Sequence, residues 1–207
     1  MNILRKYTAY AAVALSLTAC AVAPALPPEQ RPLNWAQPVG KTQLHQGLPN
    51  LFQVSPVLYR SAQPTAEGLN LLNQNLAVSY GLPKEIKTVV NLRNNEGDGA
   101  LVVPTGVRYE QIPFDTWQVK ETDVVRFLKI VRNPNNQPVL LHCKHGADRT
   151  GMMTAIYRIV EQGWRKQDAI AEMTQGGFGY HPIWSNLIRY IEHMDVADIQ
   201  RKVTLTQ

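Results

Sequence analysis

The sequence predicts an α/β domain with a mostly parallel central sheet flanked by helices, and three observations lead to that prediction. Residues 86–92 (IKTVVNL) and 138–142 (PVLLH) are short apolar runs, as in buried parallel strands. Between them, residues 121–131 carry apolar side chains at the spacing of one helix face. A strongly helical segment over 150–161 follows the second run. Strands that alternate with helices in this way indicate βαβ units.

The remaining elements continue the alternation. Residues 57–61 (VLYRS) predict a strand, and Thr65 is placed to cap a helix whose buried face carries Leu69, Leu72 and Leu76. Residues 107–112 predict another strand. The polar stretches 93–99 and 133–137 predict loops. Two further helices are expected over 166–174 and 183–193.

The first nineteen residues have the form of a secretory leader. Arg5 and Lys6 precede a small, apolar run over 7–19, which is shorter than the roughly 20 residues that span a bilayer. The segment ends LTAC and resembles the lipobox of bacterial lipoproteins, which implies cleavage before Cys20 and lipid attachment to it. Ala21 then favours the outer membrane. The alternative is an ordinary cleaved signal peptide with an incidental cysteine.

The rest of the chain divides into three parts. Residues 20–50 are rich in proline and predict an extended tether behind the lipidated cysteine, with residues 35–51 placed to pack on the edge of the domain. Residues 51–197 predict the folded, catalytic domain, and residues 198–207 a C-terminal tail. The leader and Cys20 predict a domain anchored to the bacterial cell envelope and facing the periplasm.

Charge and cysteine content limit the partners. The net charge is +5, and loss of the leader would leave about +3, which suits anionic ligands. No basic run or basic-aromatic stripe indicates nucleic acid. The chain has two cysteines, Cys20 and Cys143, and each has its own explanation, so no intramolecular disulfide is expected.

The segment HCKHGADRTG carries the chemistry. A buried strand ends at His142, a short loop follows, and a helix begins near Arg149. Ligands bind beyond the carboxyl ends of such strands, and free N–H groups at a helix N-terminus suit a phosphate. The same N–H groups would stabilise the thiolate of Cys143. Five residues separate Cys143 from Arg149, so the guanidinium can fold back and bind two phosphoryl oxygens. Thr150 is placed to donate to the sulfur.

This segment resembles the signature of protein tyrosine and dual-specificity phosphatases: His-Cys, five residues, Arg, Ser/Thr, Gly. LYRSAQP (58–64), VVNLR (89–93) and RIVEQGW (158–164) are similar to the compact group that includes bacterial periplasmic tyrosine phosphatases. The resemblance covers residues 50–195. It implies a cysteine-phosphatase fold, a Cys143 nucleophile, an Arg149 clamp, a phosphocysteine intermediate and no cofactor or metal.

Loop residues between the nucleophile and the clamp are expected to bind substrate. Gly146 permits a tight turn beside Ala147, and Lys144 and His145 either face the loop mouth or are solvated. Asp148 would repel a phosphate, so its side chain is expected to point outward. His142 is expected to orient the loop by hydrogen bonding. The histidines and carboxylates show no metal-ligand spacing along the chain.

The resemblance also implies an upstream aspartate that acts as general acid and then as base. Asp115, in the loop after the strand over 107–112, is the first candidate. Asp98 is the second and Asp123 the third. These relatives shift the acid by a residue or two within this loop, so the assignment stays open.

Three functions remain in competition. The first is hydrolysis of phosphotyrosine in a phosphorylated protein of the envelope, with tolerance of phosphoserine and phosphothreonine. The enzyme is expected to be a monomer. The second is a phosphatase for a non-protein phosphate such as a phosphoinositide, polyphosphate or inositol pyrophosphate. The third is a non-catalytic phosphate-binding lipoprotein, against which the presence of both Cys143 and Arg149 argues.

Overall fold

A computed structural model describes residues 23–40, 46–72, 81–82, 85–94 and 97–205. The leader over 1–19, Cys20, Ala21 and Leu76 lie outside the described residues. Within the described part, no helix combines the length and the apolar character needed to cross a membrane.

A six-stranded sheet forms the centre of the described chain, in the order β1-β2-β3-β6-β4-β5. Strands β3, β6, β4 and β5 are parallel, and β1 and β2 add an antiparallel edge. The predicted mostly parallel sheet is therefore confirmed. The strands are β1 Gln37–Pro38, β2 Phe52–Ser55, β3 Leu58–Ser61, β4 Thr88–Asn91, β5 Arg108–Gln111 and β6 Val139–His142.

Helices cover the sheet where the apolar periodicity predicted them, with two additions, Gly99–Val102 and Val196–Thr204. The helices are α1 Ala66–Asn70, α2 Gly99–Val102, α3 Glu121–Arg132, α4 Asp148–Gln162, α5 Lys166–Gln175, α6 Ser185–His193 and α7 Val196–Thr204. The Thr65 side chain caps α1 by accepting from the Gly68 N–H, as predicted. Helix α2 follows directly on the predicted loop over 93–99 and has only four residues, too few for a periodic pattern.

The central strand β6 separates two apolar clusters. Its side chains alternate between the two faces of the sheet, so Val139 and Leu141 pack in the larger cluster while Leu140 packs in the smaller. All three are fully buried. A strand that is buried on both faces has apolar residues at consecutive positions, which explains the sequence PVLLH that contains β6.

Folded structure extends beyond both predicted domain boundaries. Helix α7 runs through the predicted tail over 198–207 and buries Ile199 and Val203 in the core. At the other end, Trp35 and Ala36 are buried, which agrees with the edge packing expected of residues 35–51. Contact extends further toward the N-terminus than expected, because the Leu26 N–H donates to the Gln175 carbonyl oxygen. The prolines permit an extended chain in this segment. From Leu26 onward the chain contacts the domain surface.

Candidate active site

Cys143 lies at the carboxyl end of the central strand, in the phosphate loop over 143–149. It follows His142, the last residue of β6, and its side chain is 2% exposed. His142 is in register with Ser61 of β3 and Asn91 of β4. The loop therefore begins where three parallel strands end, and helix α4 begins at Asp148 with its N-terminus at the same place. This is the predicted strand–loop–helix arrangement.

Gly146 makes the tight turn of this loop. Its φ of +69° lies in the left-handed region, and a Cβ there would come within 2.6 Å of the backbone of Ser61 and Ala62. A side chain is thus excluded both by conformation and by the close approach of the end of β3. Next to it, Ala147 is buried and precedes α4. The turn predicted at Gly146 is confirmed.

Arg60 supports the turn from beneath, and the sequence analysis gave it no role. Its side chain is fully buried, and Nη2 donates to the Gly146 carbonyl oxygen at 2.5 Å. The guanidinium also stacks on Phe178, 3.8 Å from the ring centroid. Burial lowers the pKa of Arg60 to about 10, opposed by the negative charges of Glu172 and Cys143. An arginine within an apolar strand was the available signal for a buried cation.

Arg149, the predicted clamp, and Thr150, which carries the predicted hydroxyl donor, follow the Gly146 turn in the first turn of α4. Nη1 of Arg149 donates to the Leu92 carbonyl oxygen at 3.1 Å, just after the end of β4, and the side chain is partly exposed. Its other N–H groups remain for a phosphoryl group. The Thr150 hydroxyl is fully buried and has no hydrogen-bond partner among the described residues. It is available to a negatively charged sulfur, so its role stays a prediction.

Lys144 and His145 are exposed at the loop mouth. Their backbone is nevertheless held, because the Gln63 N–H donates to the Lys144 carbonyl oxygen at 3.1 Å and the Asn50 side chain donates to that of His145 at 3.0 Å. Asn50 also donates to the Phe178 carbonyl oxygen at 2.9 Å. The Asn50 side-chain amide therefore connects the phosphate loop to the segment over 177–184. This segment borders the site and is called its second wall.

His142 contacts Asp98, the second candidate for the general acid. Nε2 of His142 lies 3.2 Å from Asp98 Oδ2, and both side chains are buried. The carboxylate also accepts from Gln63 at 2.8 Å and from Asn91 at 3.1 Å. Burial would raise the pKa of Asp98, but the close approach of His142, the hydrogen bond from Gln63 and the charge of Arg93 outweigh it and lower the pKa. An ionised, fully engaged carboxylate suits an anchor better than an acid.

Asp115, the first candidate, lies in the loop after β5, at the same edge of the sheet as Cys143. Its Oδ1 accepts from the Trp117 N–H at 3.1 Å, and the side chain is partly exposed. Asn186 of α6 holds this loop through the Thr116 carbonyl oxygen at 2.7 Å, and Trp117 packs edge-on against Trp184, 4.5 Å between ring centroids. The loop thus joins the wall over 177–184.

Asp123, the third candidate, lies in the first turn of α3. Its Oδ2 is buried with no hydrogen-bond partner among the described groups, and burial raises its pKa against the charges of Lys120 and Arg126. A raised pKa suits a general acid, so Asp123 stays in competition with Asp115.

The Asp148 carboxylate points toward the second wall of the site, the segment over 177–184. Its Oδ1 accepts from the backbone N–H of His181 at 2.9 Å, and its Oδ2 lies 2.8 Å from His181 Nδ1. The carboxylate is buried, so the expected outward direction leads to a histidine and not to solvent. His181 is 33 residues further along the chain, and no spacing in the sequence predicted its arrival.

The sequence is similar to those of known proteins. The family model described as "DSP-PTPase phosphatase fused to NAD+ Kinase" matches residues 33–183. The chain is 37% identical over 167 residues to the dual specificity protein phosphatase TpbA of Pseudomonas aeruginosa (strain UCBPP-PA14), which covers 80% of this chain and 69% of the relative. It is 31% identical over 154 residues to the inositol diphosphatase DSP3 of Arabidopsis thaliana, 73% of each chain.

The fold agrees with these matches. A crystal structure of P. aeruginosa TpbA superposes with a TM-score of 0.67 at 36% identity, covering 83% of this chain and 97% of that one. The core catalytic domain of the yeast phosphatase SIW14, described as a PP-IP phosphatase in complex with citrate, gives 0.62 at 26% identity, covering 73% and 89%. Together with the geometry around Cys143 and Arg149, these matches show that the chain belongs to the dual-specificity (DSP-PTPase) family and is a cysteine-dependent phosphatase.

Proposed function

We propose that this phosphatase hydrolyses phosphotyrosine in proteins and accepts phosphoserine and phosphothreonine more slowly. The observation that carries the proposal is the likeness to TpbA, whose crystal structure in complex with pTyr superposes with a TM-score of 0.68 at 36% identity, covering 84% of this chain and 98% of that one. The rim of the site supports it. The Trp117–Trp184 pair offers aromatic surface beside the loop, and Trp117 is 74% exposed.

The reaction follows from the positions of the loop residues. The Cys143 thiolate attacks phosphorus, and a P–S bond forms as the bond to the leaving oxygen breaks. That oxygen takes a proton from the general acid, for which we retain Asp115. Water then attacks the phosphocysteine, gives its proton to the same carboxylate, and releases inorganic phosphate and the thiolate. Arg149 and the loop N–H groups stabilise the phosphoryl oxygens throughout.

A second candidate substrate is an inositol diphosphate. The match to the Arabidopsis inositol diphosphatase and the exposed Lys144 and His145 at the loop mouth favour it. Steady-state kinetics on phosphotyrosine, phosphoserine and phosphothreonine peptides and on a diphosphoinositol polyphosphate separate the two. We expect the highest kcat/KM with phosphotyrosine. A higher value with the inositol compound would transfer the assignment to the second candidate.

We propose further that the enzyme is a monomer held in the cell envelope by lipid on Cys20, facing the periplasm at the outer membrane. The supporting observation is the sequence around Cys20. Leu26 is the first of the described residues with a hydrogen bond to the domain, and the six residues from Cys20 to Leu26 would hold the anchor within about 20 Å of the folded surface. Fractionation of cells that express the wild-type chain or Cys20→Ala tests this. The wild type should sediment with outer membranes and Cys20→Ala should not; equal distributions would refute the anchor.

A further inference from the structure

Three potential metal ligands meet at the mouth of the phosphate loop. His145, Asp148 and His181 each place one ligand atom within 4.8 Å of the other two. The two imidazole rings lie 5.4 Å apart between centroids. Asp148 Oδ2 and His181 Nδ1 already lie within hydrogen-bond distance, at 2.8 Å. Two imidazoles and one carboxylate are a typical set of three protein ligands for zinc, with a fourth position left open.

The backbone around these ligands is held by the fold. The Asn50 amide fixes the His145 carbonyl oxygen and also that of Phe178, three residues before His181. Asp148 begins α4, is only 7% exposed, and binds the His181 N–H through Oδ1. The two histidine side chains are exposed and can turn toward an ion without disturbing the core. The cluster therefore combines a fixed, buried carboxylate with two adjustable imidazoles.

We propose that His145, Asp148 and His181 form a binding site for Zn²⁺ at the rim of the active site. The ion takes the place of the hydrogen bond between Asp148 Oδ2 and His181 Nδ1: the Nδ1 lone pair binds the ion while the neutral ring carries its proton on Nε2, and His145 supplies the third ligand. Ligands about 2.1 Å from a tetrahedral ion lie about 3.4 Å apart. Asp148 and His181 need to separate by only a few tenths of an ångström, and His145 approaches by rotating its side chain.

Neither the Cys143 nucleophile nor the Arg149 clamp belongs to this cluster. A bound ion would join the phosphate loop to the wall over 177–184 at a point where a carboxylate and an imidazole already connect them. The proposal can therefore be tested on protein that has no turnover.

The test is a Zn²⁺ titration of the full chain in detergent, by calorimetry and by competition with a chromogenic chelator. Every protein carries Cys143→Ser, so that no thiolate of the loop can bind zinc. We expect one Zn²⁺ per chain. His181→Asn and His145→Asn should each weaken binding by about tenfold or more. Asn at 181 retains a side-chain N–H for Asp148, so the fold should be kept, and circular dichroism checks it.

His193→Asn is the matched control, because it removes an exposed histidine on α6 that lies outside the cluster. Its zinc affinity should equal that of the parent. Asp148→Asn, which retains a hydrogen bond to His181 but removes the anionic ligand, should weaken binding as strongly as His181→Asn. The proposal is overturned if the Cys143→Ser parent binds no zinc, if His181→Asn binds as the parent does, or if His193→Asn causes the same loss.

Discussion

Arg60 Nη2 donates a 2.5 Å hydrogen bond to the carbonyl oxygen of Gly146, which joins a fully buried cation to the turn of the phosphate loop. The contact connects strand β3 to the loop after β6, 86 residues along the chain. It fixes the orientation of one loop peptide, and the Arg60 charge interacts favourably with that of Cys143. Arg60 is therefore a positioning residue for Cys143.

Substitution of Arg60 by Lys retains a charge but loses the planar contact with Phe178 and the aligned donor to Gly146. We expect kcat to fall by about tenfold or more, because the loop is no longer held in its charge-stabilising shape. The Cys143 sulfur should also be less well positioned, so its alkylation by iodoacetamide should be slower than in the wild type. Steady-state kinetics and the time course of alkylation, the alkylation profile, measure both effects.

Arg158→Lys is the matched control for that experiment. Arg158 is a second buried arginine, bidentate with Glu172 at 2.8 and 2.7 Å. Among the described residues, its side chain forms no hydrogen bond or ion pair with the loop over 143–149. The Arg158→Lys variant should have a lower free energy of unfolding and an alkylation profile equal to that of the wild type. If Arg60→Lys leaves the alkylation profile unchanged, Arg60 does not position Cys143 and contributes only to stability.

Gly146→Ala should abolish most activity, because a Cβ would meet the backbone of Ser61 and Ala62 at 2.6 Å and displace the loop. Gly163 provides the comparison. Its φ of +70° matches that of Gly146, but a Cβ there would meet nothing within 4 Å. Gly163→Ala should cost about 1–2 kcal/mol of stability for the left-handed backbone alone and leave kcat unchanged. Denaturant unfolding and turnover of p-nitrophenyl phosphate separate the two effects; equal activity losses would contradict the steric account.

The sequence predicted those parts of the fold and site that local pattern determines. The run PVLLH indicated a strand buried on both faces, and the spacing of Cys143 and Arg149 indicated a phosphate loop. Features that depend on distant contacts were missed. An arginine in the strand VLYRS signals a buried cation, but its contact with Gly146 forms only where β3 meets the loop. Helix α7 was assigned to a tail because Ile199 and Val203 show their burial only once α3 and α4 are in place.

Asp115→Asn should lower kcat by about a hundredfold on a substrate with a poor leaving group, because no proton reaches the departing oxygen. The general acid must be protonated to act, so wild-type activity falls as pH rises through its pKa. The variant should lose that descending limb. The loss should be much smaller with p-nitrophenyl phosphate, whose leaving group needs little protonation.

Asp98→Asn and Asp123→Asn are measured in parallel. Asp98 is held ionised by His142, Gln63 and Asn91, so its substitution should retain the descending limb. If the limb disappears in Asp123→Asn and persists in Asp115→Asn, the acid is Asp123, whose pKa burial already raises.

Asp98 should also make stability depend on pH. Its pKa is lower in the folded chain than its ordinary value, so the folded state favours the carboxylate. That contribution is fully present above the ordinary pKa, near 4, and is lost as pH falls through the folded value. Asp98→Asn should therefore be about 1–3 kcal/mol less stable at pH 7, with a difference that shrinks below about pH 4. Urea unfolding at several pH values measures this; a constant difference would contradict the assignment.

The central claim is that Cys143 forms a phosphocysteine during turnover, and acid-quenched mass spectrometry tests it most directly. The protein is mixed with a phosphotyrosine peptide in the presence of a metal chelator, quenched within the first turnover, and digested. The account predicts a phosphoryl group on the peptide that contains Cys143, and neither that adduct nor turnover in Cys143→Ser. Turnover without a phosphoryl group on Cys143, or full activity in Cys143→Ser, would contradict it.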